Sequence, residues 1–250
     1  MTLSHDSDTS GRPVLLLHST VCDRRQWDPQ MAALAAAGFR AVRCDLPGYG
    51  DSPYPDELFD TAELVVGVLD DLGIETAAVV GSSGGGLVAL EIAARWPQRV
   101  SSLALLCTAA PGMSPSPALH ELWEREEALL EAGDVAAATD LNVATWVGPR
   151  AGSEARALVR QMQRHAFEVQ LAAPPNAAKA SPQWDLATIT APALLVSGAH
   201  DLPDFAAIAA ALTSVLPAAR HVSLDWAGHL PNLEDPAPVN ELLLDLLRRE

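Results

Sequence analysis

Short apolar runs recur along the chain between longer stretches of helical patterning, and few architectures accommodate that alternation. VLLL (Val14–Leu17), AAVV (Ala77–Val80), LALLC (Leu103–Cys107) and ALLV (Ala193–Val196) contain no charged residue. Such runs suit strands covered on both faces, whereas a strand with one wet face alternates apolar and polar residues. RAVRC (Arg40–Cys44) and RHVSL (Arg220–Leu224) are weaker members of the series, and each follows a helical pattern, Gln26–Gly38 and Phe205–Val215. Strand alternating with helix predicts an α/β fold: a mostly parallel central sheet flanked by helices.

The alternation breaks between Pro111 and Ser181. Three helical patterns follow one another there, ALHELWEREEALLEAG, AAATDLNVATWVG and SEARALVRQMQRHAFEVQLAA, separated by Gly and Pro. The expected organisation is a core domain made of 1–110 and 182–250, with 111–181 inserted as a helical cap. At 250 residues the chain suits one catalytic domain with a large core.

Charge and cysteine usage exclude several function classes. Sixteen Lys and Arg stand against 32 Asp and Glu, for a net charge of -16, which repels a phosphate backbone, so no nucleic-acid partner is expected. No basic leader with an apolar core opens the chain and no apolar run reaches about 18 residues, so neither export nor a membrane partner is expected. Cys22, Cys44 and Cys107 are odd in number and widely spaced, which fits reduced thiols in the cytoplasm and no metal clip. Cys22 lies close to His18, but a packed thiol is the favoured reading because no activating partner stands beside it.

The chemistry-bearing residues lie where strands end. AAVVGSSGGGLVALEIAARWP places a strand, the turn Gly81-Ser82-Ser83-Gly84-Gly85, then an amphipathic helix. A sharp strand-to-helix turn needs small residues two positions either side of its apex, which Gly81 and Gly85 supply around Ser83. Ser82 fails the same test because Val80 lies two residues before it. A serine hydroxyl needs a base to take its proton and a carboxylate to orient that base. His229, between Gly228 and Pro231 beyond the last predicted strand, is the candidate base. Asp201, directly after the Ala193–Val196 strand, is the candidate acid, ahead of Asp204, with His200 read as an ordinary loop residue.

The sequence resembles the α/β-hydrolase superfamily over nearly its whole length. HSTVCDRRQWDPQ looks like its H-G-x loop, CDLPGYGDSP like its D-x-x-G-x-G-x-S segment, and AGHLPNLEDP like its G-H-x-P-x-x-E-x-P histidine motif. Within it, the capped group of esterases, 3-oxoadipate enol-lactonases, cofactor-free haloperoxidases and meta-cleavage C–C hydrolases is the most similar by pattern. That resemblance implies structural roles for Asp45, Ser52 and His18, an oxyanion hole built from the Thr20 and Gly84 amides, and no cofactor or metal. Haloalkane dehalogenases and epoxide hydrolases of this superfamily carry Asp where this chain has Ser83. Two departures stand out. Ser19 occupies a position usually held by Gly, and the residues before Val14 leave little room for two antiparallel strands usual there, so one or both are expected to be absent or disordered.

The implied activity is a serine hydrolase that cleaves a carboxylic ester, thioester or lactone of a small, largely apolar molecule. Cleavage of a C–C bond in a vinylogous diketone by the same triad is one alternative; a binding or receptor protein, or a non-hydrolytic cyclase, is another. Ser19, Trp123, Trp146, Met162, Phe167 and Leu230 are candidate pocket residues, although at helical spacing such side chains more often bury the cap against the core. Arg150, Arg156, Arg160 and Arg164 include possible anchors for a substrate carboxylate. Monomer and homodimer both remain open.

Overall fold

The computed structural model describes residues 1–8, 10–174, 177–216 and 218–249. Among the described residues, nine strands run in chain order: β1 (His5–Ser7), β2 (Arg12–Leu17), β3 (Phe39–Cys44), β4 (Leu58–Phe59), β5 (Ala77–Ser82), β6 (Val100–Leu106), β7 (Ala178–Lys179), β8 (Ala193–Gly198) and β9 (Arg220–Leu224). The helices are α1 (Asp28–Ala36), α2 (Thr61–Asp71), α3 (Gly84–Arg95), α4 (Pro117–Glu131), α5 (Val135–Trp146), α6 (Ser153–Leu171), α7 (Pro203–Val215), α8 (Pro231–Glu234) and α9 (Pro236–Leu247).

Seven strands form one sheet in the order β1-β3-β2-β5-β6-β8-β9, parallel throughout except for β1, which pairs antiparallel with β3. One antiparallel strand is therefore present in the segment expected to lack one or both. The predicted apolar runs are the central strands, and every residue of β5 and β8 is buried. Side chains alternate across a strand, so one run serves two cores. Leu15, Leu17, Val79, Leu103 and Leu195 pack on one face with α2, α3 and α7. Val14, Leu16, Val80, Ala104 and Val196 pack on the other with α1 and α9.

Between β6 and β8 the chain forms α4, α5 and α6. Ser116 caps α4, its Oγ accepting from the Leu119 amide at 3.3 Å, and Asp134 caps α5, accepting from the Ala137 amide at 3.0 Å. The same span also holds β7, which pairs in parallel with β4 in a two-stranded sheet that the helical reading of 111–181 did not anticipate. Two residues are too few for a periodic signal, and their pairing is decided by tertiary context. Among the described residues no helix is long and apolar enough to cross a membrane.

Parallel pairing of β2 with β5 sets Leu17 opposite Gly81. The loops leaving β2, β5, β8 and β9 therefore emerge from the same edge of the sheet.

Candidate active site

Ser83 stands at the apex of the turn from β5 into α3 with φ 52° and ψ -117°. This positive-φ conformation is unfavourable for a residue bearing a Cβ. The flanking glycines make it possible. A Cβ on Gly81 would lie 2.5 Å from the Gly85 carbonyl oxygen, and one on Gly85 would lie 2.4 Å from those of Leu17 and His18. The turn is further pinned by the Ser83 amide donating to the Leu106 carbonyl at 2.9 Å and by the Ser83 carbonyl accepting from the Ala109 amide at 3.1 Å. Ser83 faces a cavity, whereas Ser82 is fully buried and does not line it.

His229 lines the same cavity, and its Nδ1 lies 2.7 Å from Asp201 Oδ2, with both side chains almost wholly buried. A carboxylate can only accept, so the shared proton sits on Nδ1 and the lone pair of Nε2 is left to act as a base. The other carboxylate oxygen of Asp201 accepts from the Leu202 amide at 2.7 Å. Asp204, the competing acid, is engaged elsewhere, accepting from the Ser116 amide and hydroxyl at 2.7 Å each and so tying α7 to the start of α4. His200 is exposed. No direct hydrogen bond joins Ser83 to His229 among the described residues. Such bonds tighten on substrate binding, and both groups face the same space.

The loop carrying His229 is held by Glu234, whose buried carboxylate accepts from the Gly228 amide at 3.1 and 2.9 Å and from the Leu230 amide at 3.2 Å. The imidazole lies between two aromatic rings, Trp146 from α5 at 4.5 Å and Phe205 from α7 at 4.3 Å between centroids.

Thr20 and Gly84 also face the cavity. Gly84 is the first residue of α3, so its amide has no acceptor within the helix, and the Thr20 amide makes no hydrogen bond among the described residues. Their loops abut, since a Cβ on Gly84 would meet Thr20 Cγ2 at 2.5 Å. His18 shapes this loop from behind. Its Nε2 accepts from the Leu46 amide at 2.9 Å, which fixes the proton on Nδ1, and Nδ1 donates to the Ser19 carbonyl at 2.8 Å. Burial holds the His18 pKa below its ordinary value, against the opposing pull of Asp45 and Asp23.

Asp45 is fully buried, with one carboxylate oxygen accepting from the Arg24 amide at 2.7 Å and the other from the Asp51 amide at 2.8 Å. The Ser52 hydroxyl donates to the Asp45 carbonyl at 2.9 Å. These bonds fold the segment after β3, away from the reacting groups.

The cavity measures about 280 Å³. Of the candidate pocket residues, Trp123, Trp146 and Phe167 line it. Ser19, Met162 and Leu230 do not. The Ser19 amide donates to Gln26 Oε1 at 2.7 Å beneath the loop, Met162 Sδ accepts from the Asp23 amide at 3.4 Å, and Leu230 is packed in the core with no exposure. The four arginines turn elsewhere: Arg150 pairs with Asp235 at 3.0 Å, Arg156 donates to the Gly148 carbonyl at 2.6 Å, Arg160 pairs with Asp140, and Arg164 pairs with Glu168 at 2.9 Å. Phe205, Tyr49, Glu126, Asn142, Gln163 and Gln170 are among the further lining residues that were missed. Only Phe205 carried a usable signal, four residues beyond the candidate acid at the start of a helix.

Cys107, Asp201 and His229 offer ligand atoms within 4.8 Å of one another. A metal would require a thiolate. Burial pushes the Cys107 thiol well up, and its Sγ donates to the Gly228 carbonyl at 3.6 Å, so the trio reads as a hydrogen-bonded cluster around the acid. Burial likewise keeps Cys22 a thiol.

A model described as the alpha/beta hydrolase family matches residues 14–242. Bifunctional epoxide hydrolase 2 of Rattus norvegicus is 26% identical over 293 residues, covering 96% of this chain and 52% of that protein, so this chain spans about half the length of that relative. The putative carbamate hydrolase RutD of Pantoea ananatis is 29% identical over 238 residues, covering 90% of this chain and 84% of its own. The crystal structure of the enol-lactonase from Burkholderia xenovorans LB400 superposes with a TM-score of 0.79 at 28% identity, covering 98% of this chain and 96% of that one.

Proposed function

Since the chain belongs to the alpha/beta hydrolase family, we propose that it is a serine hydrolase in which Ser83 attacks the carbonyl of an ester, thioester or lactone, His229 is the base and Asp201 orients it. The observation that carries this reading is the shared cavity wall, where a strained, glycine-flanked serine faces an imidazole whose Nδ1 is bonded to a buried carboxylate. His229 Nε2 takes the Ser83 proton as Oγ bonds to the carbonyl carbon. The Thr20 and Gly84 amides then receive the charge on the former carbonyl oxygen. As the tetrahedral centre collapses, His229 returns the proton to the departing alcohol or thiol, and a water activated by the same imidazole frees the acid and restores Ser83.

A lactone and a carbamate, the groups named for two of the similar proteins, both present a carbonyl to such a nucleophile. A serine nucleophile sets this chain apart from epoxide opening, for which the superfamily resemblance leads one to expect Asp at the same turn. Residues 111–181 act as the cap, because α4, α5 and α6 supply one wall of the cavity. Three buried, unpaired cysteines are in keeping with a cytoplasmic enzyme.

The test is Ser83→Ala against a panel of acyl esters, with fluorophosphonate labelling of the parent protein. Loss of turnover by roughly 10⁴-fold or more is expected, from what removal of such a nucleophile ordinarily does. Unchanged turnover in Ser83→Ala would sink the proposal, and an unlabelled but folded parent would favour a binding protein.

A further inference from the structure

Among its described lining residues the cavity carries one acid and neither Lys nor Arg. That acid is Glu126 on α4, one of whose carboxylate oxygens accepts from Asn142 Nδ2. Both amide protons of Asn142 are spent, since Nδ2 also donates to the Ala138 carbonyl at 3.0 Å, and its Oδ1 already accepts from Trp146 Nε1 at 2.8 Å. Its work is to hold Glu126 in place, while Oε1 of Glu126 accepts no hydrogen bond among the described residues. Gln163 on α6 lines the same cavity and is 3% exposed, and its buried Oε1 has no partner. A buried acceptor without a donor is unfavourable.

Resting on the serine-hydrolase reading, we propose that the substrate is an acyl compound bearing an ammonium group, with Glu126 as its counter-ion and Gln163 Oε1 as a second acceptor, and that carboxylates are rejected. An ammonium offers donors and no acceptor, which is what two acceptors without donors require. A carboxylate offers only acceptors and repels Glu126 within a small cavity, where that repulsion is less screened than in bulk water. Burial raises the Glu126 carboxyl above its ordinary value, with the Asn142 bond opposing it, and a cation beside it offsets that desolvation. The arginines that would anchor a carboxylate are paired elsewhere.

The experiment compares kcat/KM for phenyl esters of equal acyl length ending in ammonium, methyl or carboxylate, in the parent, Glu126→Gln and Gln163→Leu, with fluorophosphonate labelling of Ser83 on the same samples. The parent is expected to favour ammonium over carboxylate by about 100-fold, and Glu126→Gln to reduce that ratio by about tenfold or more. Gln163→Leu is expected to lower the ammonium-to-methyl ratio. A parent ratio at or below one overturns the proposal even if Glu126→Gln fails to fold, and so does a ratio unchanged in a folded Glu126→Gln. Labelling of Ser83 with no ammonium preference sinks the substrate class alone. If Ser83 is not labelled, the serine reading fails, and calorimetric binding of the ammonium-bearing and carboxylate-bearing amide analogues to Ser83→Ala still decides the pocket's preference.

Discussion

Ser83 combines φ 52° with ψ -117°, a conformation that glycine adopts freely and serine does not. Backbone strain of this kind costs about 1–3 kcal/mol, and glycine's extra freedom in the unfolded chain returns roughly 0.5–1 kcal/mol of it. Ser83→Gly is therefore expected to abolish hydrolysis while raising Tm by about 2–4 °C, measured by calorimetry; a lower Tm would show that the hydroxyl stabilises the turn. The sharp turn was legible in the sequence because side chains two positions either side of Ser83 would collide with its tight backbone, and Gly81 and Gly85 carry none. That Asp201 rather than Asp204 lies against His229 follows from its place at a strand end. Glu126, Asn142, Gln163 and Gln170 were not, since a polar residue on a helix reads as solvated until packing shows which face is covered. Met162 and Leu230 mislead for the converse reason: apolar side chains at helical spacing fill the core as readily as a cavity.

At the scale of elements, the loop after β2 depends on an uncharged His18, whose Nε2 must accept from the Leu46 amide. With the folded pKa held below 6.5, the unfolded chain binds more protons in the window beneath that value. Stability conferred by neutral His18 is thus present above about pH 6.5 and lost as pH falls toward the folded pKa, with a slope of at most about 1.4 kcal/mol per pH unit. His221, lowered by burial as well, adds to the slope with the same sign. His18→Gln is expected to flatten the fall of Tm between about pH 7 and pH 5. An unaltered slope would remove His18 from the account. Strands β2, β5, β6 and β8 were readable because both faces are covered, which leaves no polar alternation to blur them. The paired strands β4 and β7 were not, being two residues each and dependent on partners about 120 positions apart.

For the whole molecule, 32 acids against 16 bases leave like charges in excess, so self-repulsion opposes compaction. Salt screens that repulsion and also the surface ion pairs, each of which is worth about 0–1 kcal/mol. Because the acids outnumber their partners two to one, screening the surplus wins, and Tm is expected to rise between about 10 and 200 mM NaCl. A fall would mean that the arginine pairs dominate. The two-sided core was legible at this scale from the alternation of runs and helices, while the polar lining of the cavity was not, because it is assembled from three helices whose mutual packing no local pattern encodes.

Leu17 faces Gly81 across β2 and β5, and Thr20 and Gly84 each lie three residues further along. The spacing between the two candidate oxyanion donors is thus gauged by a ladder of backbone hydrogen bonds in the middle of the sheet, where a slip of one residue would displace one donor by about 3.3 Å and turn an entire strand inside out. Side chains of α4, α5 and α6 lie off that ladder. They can be exchanged for others of different charge and size while the ruler beneath them keeps its scale, which lets one reaction serve many molecules.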